Sequence, residues 1–220
     1  MEKYPKIETV YDRMTEKPFK VLPEQLRLAE YANIKTWMIT EKIHGMNIVI
    51  YRSRDGGVSI MGRELEKSQM PIFLLTFLQK IFTPLLLDSV FPQPDGENWP
   101  EVHIYGEGYG LKIQQGGGNY RSDPGFRIFD VKVGPWWLNW AGVVDVAEKL
   151  GVKTVPVLGF IETIPTTKAE LWDLLRWSEV ALEENDGFHH EAEGIVARTD
   201  PLLMTRGGDR LMWKLKARDF

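Results

Sequence analysis

The segment Glu41–Asn47, which reads Glu-Lys-Ile-His-Gly-Met-Asn, lies between two runs of residues that are typical of β-strands. The flanking runs, Thr36–Glu41 and Asn47–Arg52, are rich in β-branched and other apolar residues. A turn between packed strands is an unusual place for a lysine. The side chain of Lys42 would extend from a packed backbone, whereas most lysine side chains extend from a solvated helix face. Taken alone, such a short motif is more often a solvent-exposed lysine. The rest of the sequence therefore has to decide between a surface lysine and a functional one.

Four further motifs follow Lys42 in order, each within a strand-like run or at its end. They are Tyr105-Gly106-Glu107, Arg127-Ile128-Phe129-Asp130-Val131, Glu193-Gly194-Ile195-Val196 and Trp213-Lys214-Leu215-Lys216. A glycine beside each of the two glutamates lets a backbone or a ligand approach closely. This favours a functional role for Glu107 and Glu193 over that of strand-end carboxylates that face solvent.

The five motifs in this order resemble those of the covalent nucleotidyltransferase superfamily, which comprises ATP-dependent polynucleotide ligases and mRNA capping enzymes. The chain is most similar to the RNA ligase 2 family, and the resemblance runs from about Trp37 to Phe220. His44 stands where DNA ligases usually have an aspartate, which favours an RNA ligase, whereas Met46 departs from the usual threonine. The resemblance implies an α+β nucleotidyltransferase (adenylation-domain) fold with antiparallel sheets flanked by helices, formed by a single domain over residues 1–220.

The hydrophobic pattern also predicts an α+β protein with mainly antiparallel sheets, because strands and helices are interspersed without a strict βαβ order. The predicted strands are Thr36–Glu41, Asn47–Arg52, Val58–Gly62, Val102–Gly106, Arg127–Val133, Val155–Phe160, Gly194–Arg198 and Arg210–Leu215. The predicted helices are Lys67–Val90 with a break or kink at Pro84, Ala141–Leu150, and Thr167–Glu184. The sequence Arg54-Asp55-Gly56-Gly57 predicts a hairpin turn, since Asp-Gly and Gly-Gly tolerate a positive φ.

The resemblance implies four catalytic residues, with Lys42 as the nucleophile that takes AMP from ATP and releases pyrophosphate. The others are His44, Lys214 and Lys216. Because an ammonium has no lone pair, Lys42 must lose its proton near neutral pH, and crowding by Lys214, Lys216 and Arg63 favours that loss through like-charge repulsion. The same cations would neutralise the triphosphate and the charge that builds in the transition state.

The resemblance further implies a nucleotide-binding set, which consists of Glu41, Asn47, Arg63, Glu107, Phe129 and Glu193. In this set Glu107 contacts the ribose hydroxyls and Phe129 stacks on adenine, although a strand phenylalanine more often packs in a core. For Arg63 a plain surface arginine is an equal alternative. Glu193 and Glu107 are also the predicted ligands of Mg²⁺ or Mn²⁺, since Mg²⁺ prefers oxygen ligands and keeps several waters beside phosphates.

Composition narrows the chemistry and the partners. The chain has no cysteine, which excludes disulfides, thiolate metal sites and a cysteine nucleophile, and its 27 basic and 31 acidic residues give a net charge of −4. The local charge is different, because Arg198–Arg218 contains six basic and two acidic residues. This segment predicts contact with RNA ends or a nicked duplex. We also expect the glycine-rich segment Gly116–Gly118 to form a mobile loop that approaches nucleic acid.

The ends of the chain and its most apolar stretch bear on location. The N-terminus lacks the apolar region of a signal peptide. Polar residues and a proline interrupt the apolar stretch Pro71–Phe91, so a buried helix or helix pair is expected there and not a membrane span. We therefore expect a soluble, cytoplasmic protein.

The chain stops four residues after Lys216, where related ligases carry a further module. This predicts a nucleotidyltransferase without a C-terminal domain, whether natural or truncated.

These observations together predict an enzyme, an ATP-dependent RNA ligase that joins 5′-phosphate and 3′-hydroxyl RNA ends through a lysine–AMP intermediate, as in RNA repair. ATP is the expected nucleotide substrate and Mg²⁺ or Mn²⁺ the expected metal. One alternative is a DNA nick ligase or a GTP-dependent capping-type nucleotidyltransferase. Another is a non-catalytic nucleotide- or RNA-binding module of the same fold. The oligomeric state is left open.

Overall fold

The computed structural model describes residues 2–62 and 70–220, and the chain divides into two compact units. The first unit consists of Met1–Pro5 and His44–Thr154, and the second of Lys6–Ile43 and Val155–Phe220. Arg63 lies outside the residues that the structure describes. The expectation of one nucleotidyltransferase domain over residues 1–220 stays a prediction.

Strands and helices are interspersed along the described residues. The strands are β1 (Tyr11–Arg13), β2 (Val21–Leu26), β3 (Trp37–Glu41), β4 (Met46–Arg52), β5 (Val58–Gly62), β6 (Val102–Tyr109), β7 (Gly125–Val133), β8 (Trp136–Trp137), β9 (Val157–Ile161), β10 (Gly194–Arg198) and β11 (Met212–Lys216). The helices are α1 (Ile72–Ile81), α2 (Pro84–Val90), α3 (Trp140–Lys149), α4 (Lys168–Leu174) and α5 (Glu179–Glu184). Short 3-10 helices span Ala29–Asn33, Gly117–Asn119 and Ala217–Asp219.

The first unit is built on a five-stranded antiparallel sheet in the order β5-β4-β6-β7-β8. Alternate residues of these strands point into a core that also receives the apolar faces of α1, α2 and α3. Ile48, Ile104 and Ile128 from the sheet and Leu74 and Leu78 from α1 are almost completely buried in it. The opposite face of the sheet is therefore available for polar and aromatic side chains.

The second unit contains a four-stranded antiparallel sheet in the order β11-β10-β3-β9, together with the two-stranded sheet β1-β2. Its core is centred on Trp37 and Trp213, whose ring centroids lie 5.6 Å apart. Leu171 from α4 and Ile195 from β10 are fully buried in the same cluster. The sheet order places the start of β10 between the end of β3 and the end of β11.

The long helices predicted from the sequence are each divided into two. Within the described residues, the first predicted helix forms α1 and α2. A new helix begins at Pro84, because the Thr83 hydroxyl accepts the Leu86 N–H at 3.2 Å and so caps α2. The stretch Thr167–Glu184 forms α4 and α5 instead of one helix. Between them, the Ser178 N–H donates to the His190 carbonyl at 2.8 Å, and this strand-like pairing interrupts the helical hydrogen bonds.

No single helix in the described ranges is long and apolar enough to cross a membrane, although α1 and α2 together satisfy that test across a 48° bend. The inward faces of both helices are occupied by the core of the first unit, since Leu74, Leu78 and Leu87 are at most 1% exposed. The expected buried helix pair is therefore present.

Candidate active site

Strand register in the second unit brings Lys42, Glu193 and Lys216 together. In the sheet, Glu41 pairs with Ile195 across β3 and β10, and Gly194 pairs with Lys216 across β10 and β11. Two backbone hydrogen bonds extend this register, from the Lys42 N–H to the Gly194 carbonyl at 2.9 Å and from the Ala217 N–H to the Glu193 carbonyl at 3.0 Å. Lys42, Glu193 and Lys216 thus meet where the end of β3, the start of β10 and the end of β11 lie side by side.

The carboxylate of Glu193 binds two lysine side chains at once. Its Oε2 lies 2.5 Å from Nζ of Lys42 and its Oε1 lies 2.6 Å from Nζ of Lys216. The three side chains are only 20%, 10% and 14% exposed for Lys42, Glu193 and Lys216 respectively. Burial by itself would raise the pKa of Glu193, but the charge of Lys42 and the hydrogen bonds from Lys216 and Lys42 outweigh it and hold that pKa below the ordinary value.

This arrangement changes how the predicted like-charge crowding acts. The two ammonium groups do not face each other alone, because each binds one oxygen of the same carboxylate. In this state Lys42 is a paired cation without a lone pair, and the contact with Glu193 has to open before the nitrogen can attack an electrophile. Lys214 lies two residues before Lys216 on β11 and so shares its side of the strand.

Gly194 is required where β10 approaches β11. Its φ is +153°, and a Cβ at this position would collide with the Leu215 carbonyl oxygen and lie 2.7 Å from the Cα of Lys216. A larger residue would push the strands apart at the level of Glu193 and Lys216. The close backbone approach that the sequence predicted beside Glu193 is therefore present.

The side chain of Glu41 points into the interior of the second unit and is 1% exposed. Its Oε1 accepts the Ser178 hydroxyl at 2.5 Å and its Oε2 accepts the Val180 N–H at 3.2 Å. The Ser178 hydroxyl also accepts the Ala181 N–H and so caps α5. This carboxylate anchors the end of β3, directly before Lys42, to the start of α5, and a role for Glu41 in nucleotide binding stays a prediction.

Ser178 is a residue that sequence reasoning missed. A serine one position before an amphipathic stretch is a common N-cap, so the signal for a helix start was present. Its pairing with Glu41, across 137 positions of sequence, could only come from the folded chain.

In the first unit, the segment that follows the predicted nucleophile lies against the end of β6. Asn47 on β4 is the register partner of Glu107 on β6. A Cβ at Gly45 would collide with the Gly108 carbonyl oxygen and approach Cγ of Glu107 to 2.9 Å. The backbone N–H of His44 donates to the Tyr120 hydroxyl at 3.2 Å. Predicted residues His44, Asn47 and Glu107 are thus placed by one pair of strands and by Tyr120.

Phe129 lies on β7 and is half-buried, whereas its neighbours Phe126 and Ile128 are 6% and 0% exposed and belong to the core. The ring of Tyr4 packs edge-on against Phe129, with 4.9 Å between the centroids, and the Tyr4 hydroxyl donates to Oδ2 of Asp130 at 2.8 Å. Phe129 is therefore not part of the core. A ring that stacks on adenine has to be accessible in this way, and the contact of Phe129 with adenine stays a prediction. Tyr4 was not recognised from the sequence.

Backbone hydrogen bonds hold the glycine-rich segment in a defined turn, and its expected mobility stays a prediction. The Gly117 N–H donates to the Gln114 carbonyl at 2.9 Å, and the Asn119 N–H donates to the Gly116 carbonyl at 3.0 Å. Gly117 is buried against the Gly110 backbone, where any side chain would collide with the carbonyl oxygen. Only Gln114–Gly116 forms an exposed tip, and its approach to nucleic acid stays a prediction.

One basic residue of the segment Arg198–Arg218 cannot contact a phosphate backbone. Arg198 is 4% exposed, whereas Arg206 and Arg218 are exposed. Its burial follows from its position within β10, paired to Met38 and Met212 on both sides. The basic surface that this segment offers is accordingly smaller than its composition indicated.

The described residues contain no group of three or more His, Asp or Glu side chains that could hold a metal ion. Of the two predicted ligands, Glu193 has both carboxylate oxygens on lysine ammonium groups, and Glu107 is half-buried at the end of β6. Any metal at these residues would need most of its ligands from water or from a bound substrate.

Comparisons with known proteins match a family model and a number of solved structures. The model of the RNA ligase family matches residues 35–216. An RNA ligase of Naegleria gruberi, in a Lys-to-Met variant with AMP and Mn, is similar with a TM-score of 0.59 and 19% identity over 96% of this chain and 59% of that one. An apo Asp-to-Ala variant of that ligase has a TM-score of 0.63 and 18% identity, covering 97% of this chain and 59% of the other.

No curated protein sequence matches the chain. The chain spans about 59% of the length of the two ligase structures, and at this identity their likeness shows the fold. The α+β nucleotidyltransferase fold with antiparallel sheets flanked by helices, expected from the sequence, is thereby confirmed.

Proposed function

This chain belongs to the RNA ligase family, and from that membership we propose that it is an enzyme that joins 5′-phosphate and 3′-hydroxyl RNA ends with ATP through a lysine–AMP intermediate. The observation that carries the proposal is the contact of Lys42 and Lys216 with the single carboxylate of Glu193. A lysine nucleophile, a neighbouring cation and a carboxylate that holds both are the parts that nucleotidyl transfer to an amine needs.

In the first step, Lys42 attacks the α-phosphorus of ATP. A bond forms between Nζ and phosphorus while the bond to the bridging oxygen breaks, and pyrophosphate leaves. The incoming triphosphate competes with Glu193 for both ammonium groups, because phosphate oxygens accept the same charge-assisted hydrogen bonds. Once the contact with Glu193 opens and Lys42 releases its proton, Lys216 and Lys214 remain as cations that stabilise the charge on the transferred phosphate.

In the later steps, AMP passes to the RNA. A 5′-phosphate oxygen attacks the phosphorus of the AMP that Lys42 carries; the bond between Nζ and phosphorus breaks, Lys42 takes up a proton and is restored, and a 5′–5′ pyrophosphate linkage forms. A 3′-hydroxyl then attacks the RNA phosphorus, a phosphodiester forms, and AMP leaves. The substrates of these steps, RNA ends or a nicked duplex, are part of the proposal, and the family match supports RNA over DNA.

The nucleotide-binding roles of Asn47, Glu107 and Phe129 in the first unit, and of Glu41 and Arg63, are part of the proposal. The register pairing of Asn47 with Glu107 supports joint contacts with phosphate and ribose, and the half-buried ring of Phe129 supports stacking on adenine. His44 is proposed to assist phosphate positioning, for which the hydrogen bond of its backbone to Tyr120 provides a fixed start. Arg63 is carried over from the resemblance alone.

Glu193 and Glu107 are proposed as oxygen ligands of a hydrated Mg²⁺ or Mn²⁺ that is bound together with substrate phosphates, because the described residues contain no preformed metal-binding cluster. Such an ion would neutralise the charge of the phosphates when ATP is bound. A structure of the Naegleria gruberi ligase contains AMP and Mn, which supports a nucleotide and a divalent metal as the partners of this chain. A cytoplasmic location, where ATP and RNA ends meet, completes the proposal.

The test is covalent labelling with α-labelled ATP and Mg²⁺, followed by a denaturing gel. We expect a labelled protein that disappears in Lys42→Ala and persists in Lys149→Ala, a matched surface lysine that is paired with Asp145 at 2.6 Å. The protein mass is measured beforehand to show that it does not already carry AMP. Label on another residue in Lys42→Ala would contradict the mechanism.

Two further arms separate the alternatives. Labelling by GTP instead of ATP would indicate a capping-type enzyme, and sealing of nicks with DNA 3′-ends only would indicate a DNA ligase. Binding of ATP or RNA without any adduct would indicate a non-catalytic binding module.

A further inference from the structure

A buried carboxylate, Asp219, follows the end of β11 by three residues. It lies in the short helix Ala217–Asp219 and is 2% exposed. Its Oδ2 accepts the backbone N–H of Lys216 at 2.9 Å, and its Oδ1 accepts Nη2 of Arg13 at 2.7 Å. Each carboxylate oxygen therefore has a specific partner, and one of these partners is the backbone of a proposed catalytic residue.

Arg13 is itself held in place by the hairpin that carries it. It lies on β1 and pairs in register with Val21 of β2. Its Nη1 donates to the Phe19 carbonyl at 2.9 Å while its Nη2 binds Asp219. A planar guanidinium with two fixed acceptors has little freedom to rotate, so it transmits the position of the hairpin to Asp219.

A second contact joins the same hairpin to the same turn. Nζ of Lys20 donates to the Arg218 carbonyl at 3.0 Å. It also donates to the Phe220 carbonyl at 2.6 Å. The chain that leaves β11 is thus tied to the β1-β2 hairpin at Arg218, Asp219 and Phe220, and these contacts are independent of the β10-β11 ladder.

The place of Lys216 in the sheet shows why this matters. Lys216 is the last residue of β11, and strand ends tend to fray. Its Nζ has to reach Oε1 of Glu193, 2.6 Å away, from this end position. The Asp219 contact fixes the Lys216 backbone N–H, and the Ala217 N–H is fixed on the Glu193 carbonyl. Together these contacts determine where the side chain of Lys216 begins.

We propose that Arg13 and Asp219 are positioning residues for Lys216, an inference that rests on the proposed role of Lys216 in nucleotidyl transfer. Both lie outside residues 35–216, which the RNA ligase family model matches. They act through the backbone of Lys216 and do not touch the reacting atoms. A purely structural ion pair would stabilise the fold without affecting the placement of the Lys216 amine.

The experiment compares the full chain with Arg13→Ala, Asp219→Asn and the double variant. Arg27→Ala serves as the control, because Arg27 is a cation of similar exposure near the same hairpin, 38% against 35% for Arg13. Arg13→Lys keeps the charge but loses the two-pronged donor, and we expect it to recover part of the wild-type behaviour. If Asp219→Asn folds poorly, Arg13→Ala still tests the same contact, because the side chain of Arg13 is 35% exposed and its loss leaves no cavity in the core.

The first readout does not depend on activity. Acetylation of individual lysines by a limiting amount of an amine-reactive ester is followed by mass spectrometry at a temperature well below unfolding. We expect Lys216 to react several-fold faster in Arg13→Ala and Asp219→Asn, with Lys149 unchanged and Arg27→Ala like wild type. This readout decides the inference even if the wild type forms no adduct with ATP, a result that would overturn the proposed function alone.

The second readout is the single-turnover rate of Lys42 labelling at saturating ATP. Misplacement of a catalytic group by a fraction of an ångström predicts a rate about tenfold lower, with little change in the ATP concentration for half saturation. Because Arg13 and Asp219 act as one unit, the double variant is expected to be no slower than Asp219→Asn. Unchanged Lys216 reactivity and labelling rates, combined with a lower melting temperature, would overturn the inference and leave a structural ion pair.

Discussion

Oε2 of Glu193 lies 2.5 Å from Nζ of Lys42, and Oε1 of Glu193 lies 2.6 Å from Nζ of Lys216. One carboxylate therefore binds both lysines that the proposed chemistry uses. The contact has opposite consequences for binding and for attack. It holds the two amines at the ends of β3 and β11 before ATP arrives, yet it occupies the Lys42 nitrogen that has to attack. Exchange of Glu193 for phosphate oxygens is therefore the event that we expect to start the reaction.

Replacement of Glu193 by Gln tests this dual role. The amide keeps the shape but loses the charge, so Lys42 and Lys216 lose their common partner. We expect Lys42 labelling by ATP to fall by about a hundredfold, since misplacement of a reacting group costs on this order. The measurement is single-turnover labelling, with Glu191→Gln, an exposed neighbour, as the control. A labelling rate equal to that of the wild type would show that Glu193 has no part in the step.

The same carboxylate makes stability depend on pH. The pKa of Glu193 is lowered in the folded chain, so the folded state binds its proton less readily than the unfolded state. The contribution of Glu193 to stability is therefore complete above the ordinary glutamate value of 4.5 and is lost as the pH falls through the lowered pKa. Urea unfolding of wild type and Glu193→Gln should differ above that value and converge below it. A difference that grows as the pH falls would contradict this sign.

Phe129 and Phe126 provide a matched pair for the adenine contact. Loss of a stacking ring costs about 1–3 kcal/mol of binding, so Phe129→Leu should raise the ATP concentration for half-maximal labelling by about five- to a hundredfold. Phe126 lies in the core and is 6% exposed. The variant Phe126→Leu should therefore lower the unfolding free energy by about 1 kcal/mol and leave the ATP affinity nearly normal. The opposite pattern would assign Phe129 to packing and not to the nucleotide.

The contact of Glu41 with Ser178 predicts a loss of stability next to the nucleophile. In Ser178→Ala, one Glu41 oxygen loses its donor and α5 loses its cap. We expect the unfolding free energy to fall by about 1–3 kcal/mol in urea titrations. Ser89→Ala is the control, since its exposed hydroxyl only donates to the Leu86 carbonyl within α2. An unchanged unfolding free energy in Ser178→Ala would show that the anchor is unimportant.

His103 predicts a pH dependence in the first unit. Burial lowers its pKa below the ordinary 6.5, against an opposing charge on Glu101, and its Nε2 accepts the Glu2 N–H at 3.0 Å. Because the folded state disfavours the charged imidazole, stability present above 6.5 is lost as the pH falls through the lowered pKa. NMR titration of the His103 ring should give a midpoint below the ordinary value of 6.5. A midpoint at or above 6.5 would contradict the burial argument.

Local pattern was sufficient for most strands and for the order of the motifs. β3, β4, β5 and β10 appear within one residue of their predicted bounds, because short runs rich in β-branched residues favour strands. The helices were less predictable, since the pairing of Arg176–Ser178 with residues 190–192 breaks the expected long helix, and no local pattern announces a partner that is so distant. Strands β1, β2 and β8 are two to six residues long and were missed.

The residue types of the site could be identified from the order of the motifs, because the chemistry of a lysine, a glutamate and a distal lysine pair depends on the side chains themselves. Their mutual arrangement could not. Only the antiparallel register of β3, β10 and β11 places Glu193 between Lys42 and Lys216, and only chain folding brings Arg13 to Asp219 and Ser178 to Glu41. A hydrogen bond needs two atoms within about 3 Å, and residues more than a hundred positions apart in the sequence meet at that distance only when the sheet has formed.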